Sequence, residues 1–331
     1  MTEYRLHGPP GCGKTYALAT SWVPRAVERF GADRVVICSL TRTAAAEIAS
    51  RGTGVPKENI GTLHALCFRV LHRPTIAEAH TDEWNEREPG LALRGSSGPT
   101  AENPYPEPSS GSRGEELMGK AQVLRHRMVP RDEWPQDVRY FQTRWDEWMR
   151  DSGYQDFTGL IEEALQTVST APGDPAVFIV DEAQDCSTLE LALIRKWNQK
   201  AEFAVLAGDG DQAIYQWRGA SPKAFLGEPI PEDHNYHLTQ SFRVPVEVHA
   251  RASNWIKQAS YRYAVEYTPT KEKGEVLHLP GISTKCPHEL LDRVKESPDS
   301  MVLASCGYML QPLVRALREA GIPFHNPYRT N

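Results

Sequence analysis

Short, unbroken apolar runs punctuate both ends of the first two hundred residues. Tyr4–Leu6 enters a Gly/Pro-rich turn, Arg34–Leu40 (RVVICSL) is rich in β-branched residues, and Ala176–Val180 (AVFIV) and Phe203–Ala207 (FAVLA) are apolar throughout. That texture predicts strands buried on both faces, as in a parallel sheet. Helical patterns alternate with them, one opening at Gly13 and one over Thr43–Arg51 (TAAAEIASR), which its alanines favour. The βαβα order implies an α/β fold with crossover connections. From about 65 to 175 the pattern becomes mainly helical. Leu66–Leu71 continues a helix and Asp156–Val168 reads as an amphipathic one. Phe141, Trp145 and Trp148 fall at i, i+4 and i+7, the spacing of a helix core, with base stacking as the alternative use of these rings. Gly95–Gly114 is rich in Gly, Pro and Ser and reads as a mobile loop. Met301–Ser305 is expected as a strand and Leu310–Ala320 as a helix capped by Gly321, with Pro323 just beyond.

The 331 residues suffice for about two domains, and hydrophobic residues make up 40% of them, which excludes global disorder. A net charge of −6 argues against a protein that coats nucleic acid with a wholly basic surface, but leaves room for a local basic groove. The six cysteines form no C-x-x-C pair and are too sparse for a disulfide framework, so they read as reduced thiols of a cytoplasmic protein. The longest apolar run is far short of the ~20 residues of a membrane-spanning helix, so no membrane association is expected.

Two motifs carry chemistry. Gly8-Pro-Pro-Gly11-Cys12-Gly13-Lys14-Thr15 fits G-x-x-x-x-G-K-S/T between a strand and a helix. Its glycines let backbone N–H groups wrap a polyphosphate, Lys14 adds a full positive charge, and the Thr15 hydroxyl suits Mg²⁺. Val177–Val180 leads into Asp181 and Glu182, so Asp181 falls at a strand's C-terminal end, where it can serve Mg²⁺. Glu182 can orient and deprotonate water. The pair continues as DEAQD (Asp181–Asp185), a far more specific pattern than a surface Asp-Glu turn.

DEAQD, followed by Ala207-Gly-Asp-Gly-Asp-Gln212-Ala-Ile-Tyr215-Gln-Trp217-Arg218-Gly-Ala220, resembles the superfamily 1 DNA helicases of the UvrD/Rep/PcrA type. Leu40–Glu47 resembles the family's motif Ia, Gly61-Thr62-Leu63-His64 its motif Ib, and Leu238-Thr-Gln-Ser-Phe242-Arg243 its motif IV. The resemblance implies a first RecA-like P-loop NTPase lobe with a parallel sheet (1–64 plus 176–230), a helical insertion (65–175) and an incomplete second RecA-like lobe (231–331). It further implies ATP and Mg²⁺ as cofactors, and single-stranded DNA, or duplex with a single-stranded tail, as partner, with 3′–5′ movement. Carried over by motif, Gly11, Cys12, Gly13, Lys14 and Thr15 cradle phosphates, with Thr15 and Asp181 on Mg²⁺ and Glu182 as base. Gln212 senses the γ-phosphate, and Arg243 reaches it as an arginine finger. Phe242 stacks on the base of the nucleotide, and Tyr16, where relatives often carry Arg, is expected to close a sandwich with it. Thr41, Arg42, Thr62 and His64 are assigned to the DNA backbone. Tyr215 and Trp217 are assigned to base stacking, and Arg218 to the link between DNA and the ATP site. Packing roles stand as alternatives for Tyr215, Trp217 and His64.

Besides Tyr16, the sequence departs from the family in two further places. Lys14 leaves no room upstream for the glutamine motif that reads adenine, and no counterpart of the later motifs, with their second γ-phosphate arginine, is found before Asn331. A fragment or short relative is therefore expected, completed by a C-terminal half or a protein partner. The leading expectation is an ATP-dependent DNA helicase or translocase. The alternative is an ATP-gated single-strand-binding module with little turnover. A small-molecule kinase is set aside by DEAQD and the Gly208–Ala220 pattern.

Overall fold

A computed structural model of the chain describes residues 2–39, 48, 51–93, 112–259, 262–278, 288–297, 299–304 and 307–325. The chain divides into two compact units, Met1–Gly274 and Glu275–Asn331.

The first unit is built on a six-stranded sheet in the order β3-β2-β6-β7-β1-β8, every adjacent pair parallel. Its strands are β1 (Thr2–His7), β2 (Val35–Ser39), β3 (Ile60–Thr62), β6 (Val177–Asp181), β7 (Phe203–Gly208) and β8 (Asn235–His237). A separate two-stranded ribbon pairs β4 (Thr75–Ile76) with β5 (Tyr154–Gln155). The central strands are apolar throughout because both faces are covered. Val35, Ile37, Val177, Ile179, Val205 and Ala207 meet Leu18, Ala19, Val23 and Ala26. These four belong to a helical stretch that runs from α1 (Lys14–Ala17) through a π turn into α2 (Val23–Phe30). The alternate residues Val36, Cys38, Phe178, Val180, Ala204 and Leu206 face the opposite layer, which is made of α3 (Leu63–Val70), α7 (Phe157–Thr167) and α8 (Thr188–Asn198). This is the period-2 alternation of a strand read on two buried faces. Cys12, Cys38, Cys67 and Cys186 are free and buried.

The helical insertion has a core of its own. Trp84 of α4 (Thr81–Arg87) and Leu117, Met118 and Ala121 of α5 (Arg113–His126) pack around Val138, Phe141, Trp145, Trp148 and Met149 of α6 (Gln136–Ser152). Phe141 and Trp145 are fully buried and Trp148 nearly so, which decides between core and base stacking in favour of core. The sheet claims more of the segment 65–175 than the sequence suggested. Leu66, Cys67, Leu160, Ile161 and Ala164 pack on β-strand residues, so α3 and α7 belong to the sheet layer. The segment expected as a mobile loop lies largely outside the described residues. Its last residues start α5, where Ser112 accepts from Glu115 N and Glu115 returns the bond to Ser112 N, a capping box. The helix expected over Thr43–Arg51 also lies almost entirely outside them.

Beyond the 230/231 boundary expected from sequence, β8 pairs with β1, Leu6 opposite Tyr236 and His7 opposite His237, and so lies within the first unit. The helix α10 (Val246–Ile256) follows in the same unit. In the second unit α11 (His288–Glu296) and α12 (Gln311–Glu319) pack through Leu291, Leu313, Ala316 and Leu317. The expected strand at Met301–Ser305 does not form: Met301–Ala304 pair with no strand among the described residues, and Met301 and Leu303 are exposed. An apolar run without a neighbouring ladder leaves its backbone groups to water.

Where α5, α7 and the ribbon meet, Glu78 Oε1 accepts from Phe157 N, and its Oε2 is enclosed without a hydrogen-bond partner. Burial, followed by the neighbouring Asp156 charge, raises its pKa from 4.5 to about 8. A raised carboxylate contributes stability at low pH that is lost as pH rises from its unfolded value toward its folded one. The contribution of Glu78 to the thermal midpoint is therefore expected to fall across the window from 4.5 to about 8. Glu78→Gln, which cannot ionise, should flatten that fall. A pH series of thermal melts on both proteins checks it, and parallel curves would refute it.

Candidate functional site

The registers bring the functional ends of four strands to one edge of the sheet. Ser39 lies opposite Asp181, Val180 opposite Leu206, and His7 opposite Gly208. Ligands of open α/β sheets bind outside such carboxyl ends. The phosphate loop leaves β1 there. Gly11 and Gly13 take φ of 76° and 77°, left-handed values that turn the loop back on itself. Lys14 is buried, and its Nζ donates to Gly8 O at 2.8 Å, so the ammonium curls over the loop it would serve.

Thr15 Oγ1 donates to Asp181 Oδ2 at 2.7 Å, joining the two residues expected on Mg²⁺. Asp181 is fully buried; desolvation pushes its pKa up, partly offset by the Thr15 bond. A carboxylate held this way gains from a cation. No group of three or more His, Cys, Asp or Glu suited to a metal occurs among the described residues. One hydroxyl beside one carboxylate fits Mg²⁺, which keeps waters and takes substrate phosphates as its other ligands.

Glu182 follows in the left-handed region, φ 55°, an uncommon backbone for a non-glycine residue and one that turns its side chain away from the strand direction. Its Oε2 accepts from Gln184 Nε2 at 2.8 Å. The same Gln184 accepts from Asp209 N at 3.0 Å, and Asp209 Oδ2 takes Gln212 Nε2 at 2.6 Å. Glu182 and Gln212 are thus linked through two residues that sequence reasoning did not single out. Gln184 was in view inside DEAQD and Asp209 inside the Gly-Asp repeat, but nothing in the sequence said which amide would bridge them.

The segment carrying Phe242 and Arg243 lies directly on the phosphate loop. Phe242 N donates to Gly11 O at 2.9 Å and Ser241 Oγ to Pro10 O at 3.0 Å. A Cβ on Gly11 would come within 2.7 Å of both Arg243 Cβ and Ser241 Oγ, so this contact itself requires glycine. Tyr267, unmarked in the sequence, adds a bond from its hydroxyl to Pro10 O at 3.0 Å. Arg243 and Phe242 are exposed, and so is Tyr16, whose ring has the Arg51 guanidinium 5.7 Å from its centroid. Cys12 is buried, and burial raises its thiol pKa, which makes it a packing residue of the loop.

The residues assigned to nucleic acid are divided. Trp217 is 49% exposed and Tyr215 half-buried. Arg218 lies over both rings, 4.8 Å from the Tyr215 centroid and 5.9 Å from that of Trp217. Two aromatic faces and a guanidinium thus share one short turn, a grouping of the kind that base stacking uses. Thr62, by contrast, spends its hydroxyl as the N-cap of α3, accepting from Ala65 N at 3.2 Å. His64 is buried, and burial lowers its pKa, with Glu190 opposing that shift; its ring lies edge-on to Phe157 at 6.0 Å. The ring packs within the first turn of α3. Thr41 and Arg42 lie outside the described residues.

Residues 2–218 match a family described as "AAA domain". Among curated proteins, the ATP-dependent DNA helicase PcrA of Staphylococcus aureus (strain Mu50 / ATCC 700699) is 31% identical over 101 residues, 30% of this chain and 14% of that protein. The ATP-dependent DNA helicase PcrA of Staphylococcus epidermidis (strain ATCC 35984 / RP62A) is 34% identical over 105 residues, 31% of this chain and 14% of that protein. Each match thus spans about a seventh of the relative's length. No helix among the described residues is long and apolar enough to cross a membrane.

Proposed function

Because this chain belongs to the AAA-domain family of UvrD/PcrA-type superfamily 1 helicases, we propose that it binds and hydrolyses ATP and couples the cycle to movement on single-stranded DNA, 3′ to 5′. The observation that carries the reading is the continuous chain Glu182–Gln184–Asp209–Gln212, which joins the acid pair to the turn bearing Tyr215 and Trp217. Lys14 holds the β- and γ-phosphates, and Thr15 with Asp181 holds Mg²⁺, which neutralises charge on the phosphates when bound. Glu182 takes the proton of the attacking water, its carboxylate aimed by Gln184. Gln212, tethered to Asp209, responds to the γ-phosphate in this reading. Arg243, carried on a segment hydrogen-bonded to Gly11 and Pro10, is the arginine that meets charge developing on the transferred phosphoryl. Tyr16 and Phe242 present exposed rings for the base of the nucleotide.

DNA stacks on Tyr215 and Trp217, and its presence reaches the ATP site through Gln212. The six-stranded sheet with the helices packed on it, α3 and α7 included, supplies the first RecA-like lobe, α4–α6 supply the insertion, and the chain beyond β8 begins the second lobe. The protein acts in the cytoplasm, in keeping with the free, buried cysteines.

The test is steady-state ATP hydrolysis with and without an oligothymidylate. DNA is expected to stimulate turnover, and DNA affinity to fall steeply with salt, as phosphate contacts require. ATP binding with no turnover in either condition would favour the second reading, a nucleotide-gated single-strand-binding module. DNA affinity that does not change with salt would overturn the nucleic-acid assignment.

A further inference from the structure

Three consecutive residues at the end of α5 reach three different elements. Arg125 donates to Asp156, the N-cap of α7, at 2.5 and 2.9 Å. His126 Nδ1 lies 3.0 Å from the hydroxyl of Ser187, which N-caps α8 immediately after the acid-bearing strand and its 3₁₀ turn. Arg127 Nη2 donates to Gln216 O at 3.0 Å, inside the aromatic turn. The turn closes against the same helix end: Gly219 has φ 101°, and a Cβ there would sit 2.6 Å from His126 Cβ. On its other side the turn is fastened to the segment that follows the acids. Ser221 N donates to Cys186 O at 3.3 Å, and Ala220 forms a bridge with Ser187.

The turn itself has little support of its own. It is a single 3₁₀ turn, Gln216–Arg218, with internal bonds from Arg218 N to Tyr215 O, Gly219 N to Gln216 O and Ala220 N to Tyr215 O. None of its three residues is buried. Short 3₁₀ pieces have poor hydrogen-bond geometry and hold their shape through neighbours. The neighbours here are His126 and Arg127 on one side and Cys186 with Ser187 on the other.

We propose that His126 and Arg127 are positioning residues through which the helical insertion holds the Tyr215–Arg218 turn in the shape that grips single-stranded nucleic acid. The inference rests on the helicase reading for the identity of the ligand, but the mechanical link stands on the contacts alone. A shift of α5 moves Gln216 O through Arg127 and the Ser187 cap through His126, so the insertion acts on the stacking platform and on the segment after Glu182 together. The insertion becomes a lever on the site, beyond a decoration of the lobe.

Amide hydrogen exchange and DNA binding on the full chain test this. Arg127→Ala is the informative variant because Arg127 is exposed and its loss leaves no cavity. Exchange at Arg218, Gly219 and Ala220 is expected to quicken about fivefold, the loss of roughly one hydrogen bond. The concentration of fluorescein-labelled oligothymidylate needed for half-saturation should rise by a similar factor. Basal ATP turnover and the KM for ATP should stay at wild-type values, and Arg127→Lys, which keeps a donor, should restore most of both changes. Unchanged exchange in the turn would overturn the link. Faster exchange in a chain whose wild type does not bind the oligonucleotide would instead overturn the helicase reading and leave the link standing.

Discussion

Glu182→Gln is expected to lower ATP turnover about 10³-fold, the middle of the range for loss of a positioned general base, while leaving nucleotide affinity within about twofold of wild type. The substitution is nearly isosteric. An amide oxygen at position 182 can still accept the bond from Gln184 Nε2 that orients the carboxylate at 2.8 Å. The left-handed backbone at this position, φ 55°, is unaffected by exchanging a carboxylate for an amide. What disappears is the capacity to take a proton. Affinity should persist because the binding groups are untouched: Lys14 keeps its bond to Gly8 O, and Thr15 its bond to Asp181. Phosphate release at saturating ATP, with a fluorescent nucleotide titration beside it, separates the two quantities. Retention of more than a tenth of wild-type turnover would move the base elsewhere. The neighbouring candidate is Asp185, whose pKa burial and the Glu182 charge raise to about 7.

How far the sequence reaches depends on whether a residue's role is local. β2, β6 and β7 were legible because strands buried on both faces become unbroken apolar runs, and their bounds shift by only a residue or so at the ends. The phosphate loop and the acid pair were legible because each is a contiguous stretch whose spacing is itself the chemistry. β8 was not: Asn235-Tyr236-His237 is three residues long and mostly polar, and pairs only through β1. α7 shows its amphipathic face in the sequence, but no pattern says whether that face covers the insertion or the sheet. His64 has the motif position of a phosphate ligand. Its burial beside Phe157 follows from how α7 crosses α3, a tertiary fact. The contact of Ser241 and Arg243 with Gly11 joins residues some 230 positions apart and turns on a missing Cβ. Gln184 lies in between, visible inside DEAQD but with the bond it accepts from Asp209 N depending on the pairing of β6 with β7.

The largest effect on stability is expected at Arg125. Its guanidinium is buried and makes four bonds to carboxylates: Nη1 and Nη2 donate to Asp156 at 2.5 and 2.9 Å, and Nε and Nη2 donate to Glu162 at 3.0 and 2.7 Å. Asp156 also accepts from Trp145 Nε1 at 2.9 Å and Gly159 N at 2.6 Å, so the ion pair ties α5 to the core of α6 and to the cap of α7. Arg125→Ala leaves Asp156, which is fully buried, without this cation and beside Glu78. Breaking a buried pair by removing one partner costs about 3–5 kcal/mol, which for a unit of this size lowers the thermal midpoint by about 10 °C. Burial alone would raise the Asp156 pKa, but Arg125 outweighs it and holds it below the usual carboxylate value. A depressed carboxylate contributes stability above its unfolded pKa that is lost as pH falls through its folded value. The gap between wild type and Arg125→Ala should therefore be widest near neutral pH and close as the solution is acidified toward that value. A gap that stays constant across that range would mean that Arg125 contributes by packing its stem and not by its charge. The cluster would then be no more than a well-filled joint between helices.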